Sequence, residues 1–310
     1  MPDSNDVESI IPAIRQASRE LVRELDLLDA PHGECTMADC HALIELGRHG
    51  VLTSAQLGRH LRLEKSTISR KLARLEDRGL VKSRRDRNDG RYKRLGLAGP
   101  GRTQLKRINK ASDRRVSDAL ALLTPAEREK VLEGFQLYVD ALARSGLRGA
   151  ARTRRMRRSD NADIAFIVRT VMMEFDLAQK GFAYFDSEVD RMYEHSRAPR
   201  SAYFVATIGD RIVGGAGIAP LNAGPDDTCE LQKMYLLPAA RGRGLGKQLL
   251  ERCLKAARAA GFRQCYLETM PQLTTARALY ERAGFEAIPE RLGNTGHPNC
   301  QNHYLMSLES

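Results

Sequence analysis

Leu231-Gln-Lys-Met-Tyr-Leu-Leu-Pro-Ala-Ala-Arg-Gly-Arg-Gly-Leu-Gly-Lys247 is the stretch on which the fold of this chain turns. An apolar strand runs into a proline and then a glycine-rich turn. The next run, Gln248-Leu-Leu-Glu-Arg-Cys-Leu-Lys-Ala-Ala, has helical periodicity. A glycine turn that opens a helix aims several free backbone N–H groups at one point, and the helix dipole adds positive potential there. The natural guest is a phosphate or pyrophosphate, with Arg241, Arg243 and Lys247 adding charge around it. Two common phosphate loops do not fit. The P-loop needs four residues between its glycines and a Ser or Thr after its lysine; here Gly242 and Gly246 enclose three residues, and Gln248 follows Lys247. The dinucleotide fingerprint needs G-x-G-x-x-G, whereas these glycines stand at 242, 244 and 246.

A third pattern, Arg/Gln-x-x-Gly-x-Gly/Ala, is met by Arg241, Gly244 and Gly246. Its flanks sharpen it. Cys265-Tyr-Leu-Glu-Thr269 reads as a strand, followed by Ala276-Arg-Ala-Leu-Tyr280-Glu-Arg-Ala-Gly284-Phe285. Gly284 suits the position after a helix end, and Phe285 opens the next strand. In this order and spacing, residues 152–308 resemble the GNAT acetyltransferases. The resemblance implies an α/β fold with a mixed, splayed central sheet and acetyl-CoA as cofactor. The pyrophosphate would lie on Arg241, Gly242, Arg243, Gly244, Leu245, Gly246 and Lys247, and pantetheine along Met234, Tyr235 and Leu236. Many relatives carry Asn shortly before the tyrosine; Thr274 and Thr275 stand in that region here.

Acetyl transfer to an amine needs a polarised carbonyl, a neutral amine and a proton for the leaving thiolate. The resemblance assigns the last role to Tyr280; a core tyrosine beside Ala276 and Leu279 is the alternative. Glu230, at the start of the cofactor strand, is the candidate base, against a plain surface carboxylate. The tail Gly293-Asn-Thr-Gly-His297-Pro-Asn-Cys300-Gln-Asn-His303 reads as a loop over the acceptor pocket. His297 is a second candidate base there. His297, Cys300 and His303 are three apart, but three ligands without a CxxC partner do not make a metal reading, and no metal is expected.

The first half is different. Residues 8–28 carry a helical pattern through Ile11, Ile14, Leu21, Leu25 and Leu28, and helices follow at 38–48, 53–60 and 65–78. Strand-like runs at 80–84 and 92–97 flank Asp86-Arg-Asn-Asp-Gly-Arg91, strong turn chemistry. Residues 102–144 are helical again, broken at Thr124-Pro125, where Thr124 can cap. Within residues 59–94, fourteen Lys/Arg face five acids, a local charge of +9 in a chain of +11. A basic block on a helix-turn-helix pattern is a nucleic-acid footprint. Thr67-Ile-Ser-Arg-Lys-Leu, Leu75-Glu-Asp-Arg-Gly-Leu-Val, Asp89-x-Arg91, Leu97 and Gly101 resemble the MarR-type winged helix-turn-helix regulators. Ala98 stands where such proteins often have a capping Thr. The resemblance implies a mainly α domain that dimerises through its first and last helices. Ser66, Thr67, Ser69 and Arg70 would enter the major groove of a pseudo-palindromic operator, and Arg84, Arg85, Arg87 and Arg91 would line the wing.

The whole reading is therefore two domains: 1–145 for DNA binding and dimerisation, a linker at 146–151, and 152–310 for acetyl transfer. A chain of 310 residues has room for both. Scattered cysteines, no apolar stretch of membrane-spanning length and no signal peptide point to a cytoplasmic protein with no membrane partner, and the MarR resemblance implies a homodimer. The expected function is a bifunctional regulator and N-acetyltransferase whose acceptor is a primary amine, on a small molecule or a protein lysine. Two alternatives stay open: a regulator whose second domain only senses acyl-CoA or an amine, and an enzyme that uses its helical half only to dimerise.

Overall fold

The structure, a computed structural model, describes residues 4–25, 35–85 and 93–309. It divides into two compact units, Met1–Val131 and Leu132–Ser310, and the division falls inside one helix.

The first unit runs α1 (Ser4–Glu24), α2 (Met37–His49), β1 (Val51–Thr53), α3 (Ser54–Leu61), α4 (Lys65–Asp77), β2 (Val81–Arg85), β3 (Lys93–Leu97) and α5 (Gly99–Ala121). The next helix, α6 (Pro125–Ser145), crosses the division. Local chemistry sets the helix starts. Thr36 Oγ1 accepts from Asp39 N while the Asp39 carboxylate accepts from Thr36 N, and Thr53 with Gln56 repeats this before α3. Ala98 precedes α5 without a side-chain cap, as an alanine must. At the head of α6, Thr124 and Glu127 bond reciprocally. The strands pair antiparallel in the order β1-β3-β2. Leu43, Leu46, Leu57, Ile68, Leu75 and Leu95 close the core beneath them. Asp39 is fully buried and joins α2 to Lys71 and Arg74 of α4. Burial works against its charge, but the bonds from Arg74 and Thr36 outweigh this and hold the carboxyl below its usual range. α1 is described from Ser4 to Glu24, and positions 26–28 of the first helical pattern lie outside the described residues.

The second unit adds β4 (Ala151–Arg155), α7 (Asn161–Glu174), α8 (Met192–His195), β5 (Ala202–Ile208), β6 (Arg211–Pro220), β7 (Thr228–Leu236), α9 (Leu245–Ala259), β8 (Gln264–Thr269), α10 (Thr274–Arg282), β9 (Glu286–Ile288) and β10 (Asn302–Ser307). Its seven-stranded sheet has the order β4-β5-β6-β7-β8-β10-β9. All pairs are antiparallel except β7 with β8, so the sheet is mixed. Successive residues of β5 point to opposite faces. Ala206 and Ile208 pack with Leu249 and Cys253 of α9, and Tyr203 and Val205 pack with Ile164 and Val168 of α7. Among the described residues, no helix is long and apolar enough to cross a membrane.

Two features shape the centre of this sheet. The parallel pairing of β7 and β8 covers Thr228↔Gln264, Cys229↔Cys265 and Glu230↔Tyr266, and then stops. Beyond Glu230, β7 keeps its partner β6 but has none on the β8 side. The second feature is a bulge in β7. Its register with β6 passes from Gly217↔Gln232 to Gly215↔Tyr235, and Lys233 is left-handed at φ 48°. A bulge bends its strand and raises the local twist. The Tyr203 ring lies against Gly215 and Gly217, where a Cβ would come within 2.5 and 2.4 Å of it. Its hydroxyl donates to Lys233 O at 2.8 Å and so holds the bulge from β5.

Candidate functional site

The parting of β7 and β8 opens a cavity of about 470 Å³ within the second unit. One end is the loop that precedes α9. Gly242 and Gly244 have φ of 75° and 74°, a left-handed backbone that side chains rarely adopt. A Cβ at either position would meet nothing within 4 Å, so the backbone there faces open space. Gly244 is the N-cap of α9, and no side chain caps the helix. The first N–H groups of α9 are thus left for a ligand, and their dipole favours an anion. Arg243 and Lys247 are exposed beside them. Arg241 behaves differently from the charge expected on the pyrophosphate. Its guanidinium forks onto Glu174 at 2.6 and 2.7 Å, and its Nε donates to Leu236 O at 3.1 Å. It braces the loop against α7 while still lining the cavity. These residues fit the pyrophosphate of acetyl-CoA through backbone N–H groups more than through that arginine. Met234, Tyr235 and Leu236 line the unpaired edge of β7, where an extended chain has free backbone partners.

The expected catalytic residues meet at the same cavity. Glu230, Tyr280 and His297 all line it, although they come from β7, α10 and the 289–301 loop. Glu230 is buried, and that burial pushes its carboxyl up to about 7. Glu268 pushes the same way, while the Gln232 Nε2 bond of 2.7 Å, Lys233 and His297 pull it back. Tyr280 is 6% exposed, packs edge-on against Phe285, and burial raises its pKa above the usual tyrosine range. Among the described residues its hydroxyl makes no hydrogen bond to protein. His297 is tied down: its Nε2 lies 2.8 Å from Asp186 Oδ2 and 3.1 Å from Lys233 Nζ. Burial also pushes the Cys300 thiol up to about 12, so it stays protonated at neutral pH. Thr274 begins α10 and lines the cavity beside Thr275, in place of the asparagine expected there.

Five charged residues at or beside this site carry no signal in the local sequence. Lys233, at the bulge, is buried; burial opposes its charge, but Asp186 at 2.6 Å and Glu188 at 3.1 Å outweigh it and raise its pKa. Glu268 lines the cavity from β8, accepts from Tyr266 Oη and Thr295 Oγ1, and pairs with Arg291 at 2.9 Å.

In the first unit, Ser66, Ser69 and Arg70 are exposed on α4, and Thr67 is half-buried. Ser69 Oγ donates back to Lys65 O at 2.8 Å, so its hydroxyl is turned onto its own helix. Arg84 and Arg85 are exposed on β2. Arg87 and Arg91 lie outside the described residues.

Comparison with known proteins agrees with both halves. The pattern of the acetyltransferase (GNAT) family matches residues 169–285, and that of the MarR family matches residues 36–91. An uncharacterized N-acetyltransferase of Escherichia coli, YjgM, is 46% identical over 156 residues, covering 50% of this chain and 93% of the relative. The N-alpha-acetyltransferase RimI of Mycobacterium tuberculosis is 35% identical over 91 residues, covering 29% of this chain and 56% of that one. A crystal structure of a GNAT-family acetyltransferase from Staphylococcus aureus aligns with a TM-score of 0.46 at 19% identity, covering 52% of this chain and all of that one. GNAT acetyltransferases use acetyl-CoA. With a parted parallel strand pair, a glycine loop at a helix N-terminus and this likeness to YjgM, the chain belongs to the GNAT family of acetyltransferases and carries a MarR-family domain before its acetyltransferase domain.

Proposed function

We propose that the chain couples a DNA-binding dimer to an N-acetyltransferase that acts on a primary amine by direct transfer. Residues 1–145 form the regulatory part, 146–151 a linker and 152–310 the enzyme. The acceptor amine belongs to a small molecule or a protein lysine. One observation carries the enzymatic half: Glu230 stands where β7 and β8 part, with its carboxyl near 7 and its side chain lining the cavity.

When bound, acetyl-CoA supplies an activated acetyl group. The N-terminus of α9 and the 242–247 backbone hold its pyrophosphate, and the free edge of β7 at 234–236 orients the pantetheine arm. Glu230 takes a proton from an ammonium acceptor, directly or through one water, and leaves it neutral. A base poised near the working pH does this best. Tyr280 keeps its proton because burial disfavours the phenolate, and it is the proton donor on the sulfur side. His297 is assigned a positioning role, since its Nε2 is engaged by Asp186 and Lys233. Direct transfer is preferred to a covalent route through Cys300, whose thiol is held in its protonated, weakly nucleophilic form.

On the regulatory side, Ser66, Thr67 and Arg70 are the proposed major-groove residues, with Arg84, Arg85, Arg87 and Arg91 at the wing. Dimerisation is supported by α6, which buries none of its residues and exposes Leu132, Phe135, Val139 and Leu142. Their spacing of three and four residues makes one apolar seam. Six free cysteines are consistent with a reducing, cytoplasmic setting. The test of the enzymatic reading is a thiol-release assay with acetyl-CoA over a panel of primary amines and lysine peptides. Turnover with at least one amine class is expected; binding of acetyl-CoA without turnover of any amine would reduce the domain to a sensor.

A further inference from the structure

We propose that Glu45, His49 and His60 form a binding site for a divalent first-row transition metal ion, Zn²⁺ foremost, inside the DNA-binding half. Glu45 and His49 are one helical turn apart on α2 and therefore share a face. His60 reaches them from the last turn of α3. The geometry is convergent: Glu45 Oε2 lies 3.3 Å from His49 Nε2 and 3.1 Å from His60 Nδ1. The three ligand atoms all fall within 4.8 Å of one another. A tetrahedral ion with bonds of about 2.0–2.1 Å places its ligand atoms roughly 3.3 Å apart. The Glu45 oxygen already stands at that spacing from both imidazole nitrogens, so one ion can be shared by all three groups.

Burial and donor type add to the case. The His49 and His60 side chains are 3% and 7% exposed, with ring centres 4.1 Å apart, so the nitrogens are held in place by packing. Glu45 keeps 20% exposure, which leaves a path from solvent. Two imidazole nitrogens and one carboxylate suit zinc and its neighbours; magnesium and calcium prefer all-oxygen shells. Three protein ligands leave a fourth position for water. Among the described residues, His297, Cys300 and His303 do not converge in this way. An ion here ties α2 to α3, the helix immediately before α4, so it links metal supply to the posture of the proposed recognition helix.

The experiment uses the untagged full-length protein and Zn²⁺ alone, titrated against a chromophoric chelator. One equivalent per chain is expected to bind at micromolar affinity or tighter, with no competition from Mg²⁺. Glu45→Gln and His60→Gln, each checked for folding by circular dichroism, should weaken it by about a hundredfold. X-ray absorption of the zinc-loaded wild type should count nitrogen and oxygen ligands only. No zinc retained against the chelator, equal retention by folded His60→Gln and Glu45→Gln, or a sulfur-containing shell would each overturn the assignment. None of these readouts depends on acetyl transfer or DNA binding.

Discussion

As the proposed base, Glu230 would act only after losing its proton, and burial sets when that happens. With its carboxyl near 7, the rate should rise as pH climbs through about 7 and level off above it. Glu230→Gln should flatten that limb and lower kcat/KM by about 10²–10⁴ while acetyl-CoA affinity holds. A pH–rate profile that keeps its rising limb in this variant would move the role to another group. As the proposed acid, Tyr280 has the opposite requirement. Its burial raises the phenol's pKa, so it remains a donor throughout this range. Tyr280→Phe should lower turnover about ten- to a thousandfold, at or below the low end of general-acid contributions, with acetyl-CoA binding unchanged by calorimetry. Full activity would leave the ring as packing against Phe285.

The loop before α9 and the bulge in β7 act as elements rather than as single residues. Gly244 combines a left-handed φ of 74° with a Cα that faces open space. Gly244→Asp places a side chain and a negative charge at the helix N-terminus proposed to hold the pyrophosphate. Acetyl-CoA affinity, read by calorimetry, should fall by more than about tenfold, or roughly 1.4 kcal/mol. Unchanged binding would separate this loop from the cofactor. The bulge explains why β7 leaves β8. The extra residue at 233 turns the strand, and the Tyr203 hydroxyl holds its carbonyl. Among the described residues the β8-side edge at 234–236 is unpaired, and a continuous ladder would have consumed it.

For the whole molecule, the exposed seam of α6 and the basic α4–β2 surface make a joint prediction. If α6 is the dimer seam proposed above, Phe135→Glu should shift the protein toward monomer in sedimentation velocity, because Leu132, Phe135, Val139 and Leu142 are exposed on one side of α6 and a second copy would bury them. The same variant should lose affinity for a two-half-site duplex selected from random DNA by the wild type. Wild-type affinity should fall steeply with salt, as several phosphates are neutralised at once. Selection that enriches no motif would leave the helical half as a dimerisation module alone.

Much of this protein was legible from spacing. The order of helices around 65–77, the hairpin strands, the glycine loop and the Tyr280 helix were all expected, and they follow from periodicity, capping boxes and turn residues that act within a few positions. The sequence by itself also carried two separate family patterns, MarR at 36–91 and GNAT at 169–285, in the basic block and around the glycine loop. It did not determine the state of the site. The spacing at Arg241 says nothing of Glu174, 67 residues away, which forks onto its guanidinium. Lys233 and His297 depend on Asp186, which lies 47 and 111 residues from them. Glu45, His49 and His60 meet only because α3 packs on α2. Secondary structure is written in short-range pattern, whereas burial and charge pairing are properties of what folding brings together, and it is these that set the Glu230 carboxyl near 7.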